Sequence, residues 1–504
     1  NQGGGPETPF MQIRARSDLR GTRVQLPQPL AKPIAQDRAI AADLSFYPGL
    51  ISLKAGYGTE TRMRGRYINV DDDFRMDVLD IGFSTALPAT PGRGLNLYGH
   101  IPSVSVEDWV EFVDRAGEAD PDYLRSADLS FDQVILYNRL LDLVKLQIER
   151  DDDRFLGRIE SSLLRGDFEL PRQPSSSAPI LLKMDYLNIE KLEQETDYSA
   201  LTPGVLSDFR FTSDSLVYHD MLFNDVRIDG RVVGETLHID EFLMRRDQVW
   251  LNSSGIWEYD LEADTHRSSL NVALTGDDLG EAIEGLGFGR SLSGGSIDMQ
   301  GGFTWPDPIM GFDLENLVGD ANLIIEEGVL NSVEPGSGRF VGLFSLSALP
   351  RRLSIDFIDM LVEGMVFESI SGNYRISDGN LYTEDTRLEG PAAAIKIGGR
   401  TGIVARDYDQ SVKVLPQMSG VISLGAIYTG NWALLLLQNL FQKAIDDAFE
   451  IEYKISGSWD DPQIDLVELL TPHHLHCSMT VVACTTGKHV SVQKPMALSA
   501  AEAD

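Results

Sequence analysis

SSLNVALTGDDLGEAIEGLGFGRSLSGGSIDMQGGFTWPDP, residues 268–308, carries the pattern on which the fold is read. Both ends alternate: Leu270, Val272 and Leu274 in the first run, then Ile297, Met299, Phe303 and Trp305 in the second, with polar or small residues between. A period of two puts the apolar side chains of a run on one face of a strand. Between the runs, Gly276-Asp277-Asp278 introduces a short helix over 278–285, followed by Gly285-Leu286-Gly287-Phe288-Gly289. That glycine-rich piece is not read as a phosphate cradle, because it follows a helix and precedes a strand, the reverse of the required order.

The alternation continues outward through Val226 and Ile228, then Leu237 and Ile239. Turn signals at Asp229-Gly230, Ser253-Ser254-Gly255, Thr275-Gly276-Asp277 and Asp378-Gly379-Asn380 have the spacing of an antiparallel meander. Residues 37–101 and 180–415 are therefore expected to be mostly strand, and the chain mainly β with a few short helices. Such strands, with too few helices to cover their apolar faces, need a second sheet or an apolar ligand as cover. Ile297, Met299, Ile395 and Ile397 alternate strictly with polar or small neighbours and are expected to share one interior.

Helices are expected at 106–116, capped by Ser105 with Asp108 and presenting Trp109, Val110 and Val113 to one side, and at 131–150. Two more are expected at 338–348, stopped by Pro350, and at 427–449. The apolar stretch Val421 to Phe449 is too interrupted by Gly425, Gly430 and polar residues for a clean span, and suits a buried or membrane-interface helix. Asp151-Asp152-Asp153 and PRQPSSSAP mark 151–179 as a linker between a β-rich segment at 1–150 and a longer one at 180–462. A weak repeat joins Gly255-Ile256-Trp257, Phe303-Thr304-Trp305 and Gly457-Ser458-Trp459, each a tryptophan near the end of an apolar strand.

Lys+Arg 43 against Asp+Glu 77 gives a net charge of -34, which opposes nucleic-acid phosphates, so no nucleic-acid partner is expected. Cys477 and Cys484 are the only cysteines. A thiol-free body fits an oxidising compartment that uses no disulfides, and the two cysteines, roughly 10 Å apart on a helix, lie too far apart to pair. The chain begins at Asn1 and is read as a fragment whose parent carried any anchor upstream. Asp71-Asp72-Asp73 and Asp151-Asp152-Asp153 lack the alternate-position spacing of a calcium loop and are read as solvated turns. His473, His474, His476 and Cys477 form the densest ligand cluster, yet they follow a Thr-Pro step of the kind that ends a Rossmann strand, and no metal site is expected. No Ser-His-Asp set and no Gly-x-Ser-x-Gly elbow is read from the sequence.

Four stretches carry a family resemblance: SGGSIDMQGGFTWPDP (293–308), VEPGSGRFVGLFSLSALPRRLSIDF (333–357), GNYRISDGNLYTEDTRLEGPAAAIKIGGR (372–400) and YKISGSWDDP (453–462). They resemble the C-terminal half of the YhdP family, within the AsmA-like superfamily, and LNLYGHIPSVSVEDWVEF (95–112) is similar in kind, so the resemblance covers about 1–462. It implies an elongated, twisted, AsmA/TamB-like antiparallel β-groove with an apolar interior. The implied role is periplasmic, bridge-like phospholipid transport and outer-membrane lipid homeostasis, with acyl chains in the groove against Ile297, Met299, Ile395 and Ile397. The full-length parent would be anchored in the inner membrane, and both membranes would be reached through missing or terminal segments. No enzyme and no cofactor are implied; the alternative is a structural envelope protein without cargo.

The tail, IDLVELLTPHHLHCSMTVVACTTGKHVSVQKPMALSAAEAD (464–504), reads as strand, helix, strand and helix start, a truncated α/β piece. TPHHLH, GKHV and QKPMALSAAEAD resemble the nucleotide-binding domain of Gfo/Idh/MocA oxidoreductases. The resemblance implies an active-site lysine at Lys494, followed by Pro495 and preceded by Gln493 in place of the family's Glu, with vestigial cofactor contacts at Thr471 and Pro472. The glycine-rich first turn, the ribose-binding acid and the substrate domain have no counterpart, so neither cofactor binding nor catalysis is expected. The alternative reading is an NAD(P)-dependent oxidoreductase of which the tail is an incomplete remnant. The chain is read as two unrelated proteins joined near Asp461 to Glu468, an artefact of a junction rather than a natural fusion.

Overall fold

A computed structural model describes residues 8–116, 123–136, 139–189, 201–218, 221–284, 292–331, 365–391, 393–416, 450–459, 462–470 and 489–492, with 476, 477, 480, 481 and 484. The described residues form 25 strands and two short α-helices, a mainly β chain as the alternation predicts. They fall into two compact units, one comprising 1–196 with 207–226 and the other 197–206 with 227–504.

The first unit opens with β1 (Met11–Ser17), β2 (Ile40–Tyr47), β3 (Leu50–Tyr57), β4 (Thr61–Val70) and β5 (Asp73–Phe83), paired antiparallel in sequence order. Asp71 and Asp72 take positive φ in the β4–β5 hairpin, the solvated turn expected of the first Asp run. Next come β6 (Gly94–Ser105), helix α1 (Val106–Ala116) and β7 (Leu124–Leu136). Here the meander breaks: β6 lies parallel to both β5 and β7, with α1 as the crossover between β6 and β7. The Ser105 hydroxyl accepts from Asp108 N at 3.2 Å, the expected cap. On α1 Val110 is exposed rather than packed, while Trp109 meets Phe112 edge-on and donates from Nε1 to the Gln28 carbonyl at 2.8 Å.

The helix expected at 131–150 is a hairpin. β7 pairs antiparallel with β8 (Arg139–Asp151), setting Phe131 opposite Val144 and Val134 opposite Leu141. Apolar density there satisfies both periods, and cross-strand packing of branched and aromatic side chains decides for strands. The segment 151–179 is likewise not a bare linker: it holds β9 (Arg154–Glu160) and β10 (Leu164–Pro171), which continue the ladder to β11 (Ile180–Asn188). The last strand of this unit, β12 (Phe209–Tyr218), pairs parallel with β11.

The unit boundary falls within β13 (Met221–Val233), so Asp229-Gly230 lies inside a strand and the turn comes later, at Gly234 with φ 60. The second unit continues with β14 (Thr236–Arg246), β15 (Val249–Asp260), β16 (Thr265–Gly276), α2 (Leu279–Ile283), β17 (Leu292–Trp305) and β18 (Val318–Leu330). Ser253-Ser254-Gly255 is in the middle of β15, where continuous pairing with β16 outweighs its turn composition, while the ladder to β14 shifts register at this point. β19 (Met365–Ser377), β20 (Asn380–Glu389), β21 (Ala393–Gly402), β22 (Asp407–Pro416), β23 (Glu450–Ser458) and β24 (Pro462–Leu470) complete an antiparallel series from β14 onward. Asp378 and Gly379, both at positive φ, make the β19–β20 turn as expected. Asp278 caps α2 by accepting from Glu281 N at 3.0 Å. The helices expected at 338–348 and 427–449, and Gly285 to Gly289, lie outside the described residues.

Candidate functional site

Ladder register decides which side chains share a face. In the second unit one transverse row runs Val249, Gly276, Ile297, Ile325, Ile370, Leu388, Ile395 and Val414, each opposite the next across β15 to β22. The neighbouring row includes Leu251, Leu274, Met299, Leu323 and Gly372 on β15 to β19, and Thr386, Ile397, Val412 and Tyr453 on β20 to β23. Ile297, Ile395 and Ile397 belong to one buried apolar cluster, and Met299 packs against it. The four residues singled out from alternation therefore do share one face, and α2 adds Leu279, Ala282 and Ile283 to the same cluster.

The face is not uniformly apolar. Tyr374, Thr383, Thr386, Thr401 and Gln410 are all buried on it. A bulge in β20 sets Thr383 opposite Gly399 and Thr386 opposite Ile397, so residues three apart point the same way. Their hydroxyls lie 2.8 Å apart, and Thr386 donates to the Tyr374 hydroxyl at 2.9 Å. Burial pushes the Tyr374 phenol up to about 12, and the Tyr453 phenol likewise. Thr386 escaped the sequence reading because the bulge breaks the period of two.

At one end of the same strands stand the three tryptophans of the repeat. Trp257 and Trp305 both lie opposite Ser268 in the ladder and are buried. Their indole N–H groups donate to His266 Nδ1 at 3.2 Å and to the Pro308 carbonyl at 3.1 Å, while Trp459 donates to the Asp407 carbonyl at 3.3 Å and stacks on Tyr408. Trp257 and Trp305 bury their rings, Trp459 is partly buried, and each satisfies its one donor.

The first unit has its own apolar cluster, with Phe83, Ile101, Leu129, Phe131, Leu141 and Val144 at its centre. On the opposite face is a cavity of about 740 Å³ whose lining includes Tyr98, His100, Asp128, Ser130, Lys145 and Arg158. It contains a contact the sequence did not reveal: Ser130 Oγ lies 3.1 Å from His100 Nδ1, and His100 Nε2 lies 3.3 Å from Asp132. Register brings them together, since His100 faces Ser130 across β6 and β7. The set is not built as a hydrolase: His100 and Asp132 are 43% and 58% exposed, and the flanking strand N–H groups are committed to the ladder rather than aimed at an oxyanion.

The tail adds strands to the second unit. β24 pairs antiparallel with β23, and β25 (His489–Val492) pairs parallel with β24 from Leu466 to Leu469. Val490 and Val492 pack against the main apolar cluster, and 476, 477, 480, 481 and 484 are helical, matching the strand-helix-strand reading. Cys477 and Cys484 form no disulfide. Thr471, Pro472, His473, His474, Gln493, Lys494 and Pro495 lie outside the described residues. Among the described residues no group of three or more His, Cys, Asp or Glu side chains could hold a metal ion, and no helix is long and apolar enough to cross a membrane.

Similarity to known proteins extends over nearly the whole chain. A family model described as YhdP protein matches residues 3–464. The intermembrane phospholipid transporter YhdP of Escherichia coli (strain K12) is 22% identical over 486 residues, covering 90% of this chain and 37% of that protein. The levoglucosan dehydrogenase of Pseudarthrobacter phenanthrenivorans is 42% identical over 43 residues, 8% of this chain and 11% of that enzyme. No solved structure gives a significant match.

Proposed function

The chain belongs to the YhdP family, and from that premise we propose that it is a phospholipid-carrying segment of a cell-envelope transporter, holding acyl chains against the apolar rows of its second unit. The observation that carries this reading is the register of Ile297, Met299, Ile395 and Ile397, which lines apolar side chains across successive strands. Acyl chains need area rather than shape: each methylene buried contributes about 0.8 kcal/mol. A run of equivalent apolar positions lets a chain shift from one strand to the next at little cost. The segment acts by binding and passage, without catalysis, and its partners are phospholipids and, through the remainder of a longer protein, the two membranes. The chain spans about a third of the transporter it matches, so passage between membranes is proposed of the whole protein and acyl binding of this part.

The test is site-specific photo-crosslinking in the full chain. A photoreactive residue at Met299 is expected to give phospholipid adducts by mass spectrometry, while one at the adjacent, exposed Asp298 gives none. Ile297→Asp with Met299→Asp should lower phospholipid recovered by solvent extraction, because ionised groups cannot be buried against hydrocarbon. Equal adduct yields at 298 and 299, or full lipid recovery from the folded double variant, would make this a structural sheet without cargo.

A further inference from the structure

We propose that the polar side chains on the apolar face of β19 to β22 form a recognition line for acyl ester carbonyls, fixing the depth at which a glycerolipid rides along the sheet. The proposal rests on the acyl-binding reading above and adds to it which part of the lipid is read.

Three observations carry it. First, the polar groups share one level. Ser253, Val272, Gly301, Ala321 and Tyr374 are opposite one another across β15 to β19, and Thr383, Gly399 and Gln410 are opposite one another across β20 to β22. This line runs parallel to the apolar rows of Met299 with Ile397 and of Ile297 with Ile395. A lipid whose tails follow those rows keeps its ester region at a constant offset from them.

Second, the groups are deeply buried yet hold unused capacity. Gln410 is 2% exposed; its Nε2 donates to Thr401 Oγ1 at 2.6 Å, and its Oε1 has no partner. Ser253 Oγ, 3% exposed, has none either. Buried polar atoms without a partner are rare in folded proteins and call for one. Turning the Gln410 amide over points Nε2, a donor, at the position that Oε1 faces without a partner. The Tyr374 hydroxyl accepts from Thr386, which leaves its own proton to donate.

Third, the chemistry offered is neutral. Tyr374, Thr383, Thr386 and Gln410 carry no charge, and burial keeps the Tyr374 phenol protonated. A phosphate would call for cations. A neutral carbonyl flanked by hydrocarbon matches neutral donors set among isoleucines and valines. The Tyr374 and Gln410 stations are three strands apart, about 15 Å, so successive positions of one lipid, or esters of two lipids, could occupy them.

The experiment compares diacyl phospholipid with its dialkyl-ether counterpart of the same head group and chain length, both offered to the full chain in mixed vesicles and quantified by mass spectrometry after repurification. Wild type is expected to retain the diester about fivefold over the diether, the discrimination of a single hydrogen bond. Tyr374→Phe and Gln410→Met, both close in volume to the originals, should bring the ratio towards one by lowering the retained diester while the retained diether, which has no carbonyl to lose, stays near its wild-type amount. Lipid retained without preference by wild type would overturn the ester line and leave acyl binding standing. No lipid retained by wild type would overturn both. Because the wild-type ratio needs no substitution, a variant that fails to fold cannot decide the matter.

Discussion

Tyr374 and Tyr453 illustrate how burial alone tunes a side chain here. Both phenols rise from 10.0 to about 12 because the apolar face disfavours the phenolate. The unfolded chain gives up these protons first, so the stability they contribute is intact below pH 10.0 and is lost as pH rises through about 12. Thermal midpoints measured across that window should fall for wild type, and Tyr374→Phe should flatten part of the fall; an unchanged slope would mean that the phenol is solvated. Asp407 behaves in the opposite sense: the Arg400 fork, with both N···O distances under 3 Å, holds its carboxyl below the usual range. That contribution is present above the ordinary carboxylate pKa and lost as pH falls through the depressed value. Ile297, Ile395 and Ile397 were legible in the sequence because strict alternation states a face directly. Gln410 was legible in principle, two places from Tyr408 and two from Val412, but polar residues inside an apolar phase read as breaks in it. Thr386 was not legible, since only the bulge turns it inward.

That bulge is held from its outer side. Asp385 accepts from Asn373 N at 2.9 Å and from Asn373 Nδ2 at 2.7 Å, and these bonds depress its pKa. Asp385→Ala should cost about 1 kcal/mol of stability and release Thr386 from Tyr374. Urea unfolding would read the first effect, and a higher Tyr374 pKa by ultraviolet titration the second, because the hydrogen bond donated by Thr386 favours the phenolate; a variant that lost stability but kept the titration would show the bulge to be fixed by its backbone. Strand existence was legible wherever apolar residues alternated between good turns, as at Asp378-Gly379. Two kinds of element were not. The β7–β8 hairpin has Ile135, Leu136, Leu140 and Leu141 so close together that a helix stripe fits equally well, and only the partner strand settles it. The parallel pairings of β6 depend on where a crossover lands, which no local pattern encodes.

In the whole molecule, the segment resembling an oxidoreductase serves as sheet. β25 covers part of β24, and its valines pack against the cluster that the other strands build, so the edge that a truncated α/β piece would leave bare is partly paired. Titration calorimetry with the full chain is expected to show no binding of NAD or NADP; saturable binding abolished by Lys494→Ala would make the tail a functional domain. From β14 to β24 every described strand pairs with its neighbours in sequence and with no distant one. A series of this kind is mechanically a zipper. Tension applied at its two ends loads the ladders one at a time rather than in parallel, so the second unit would give way in increments of single hairpins. A chain under load could then lengthen by shedding a terminal strand while the remaining strands, and whatever they carry, stay in register.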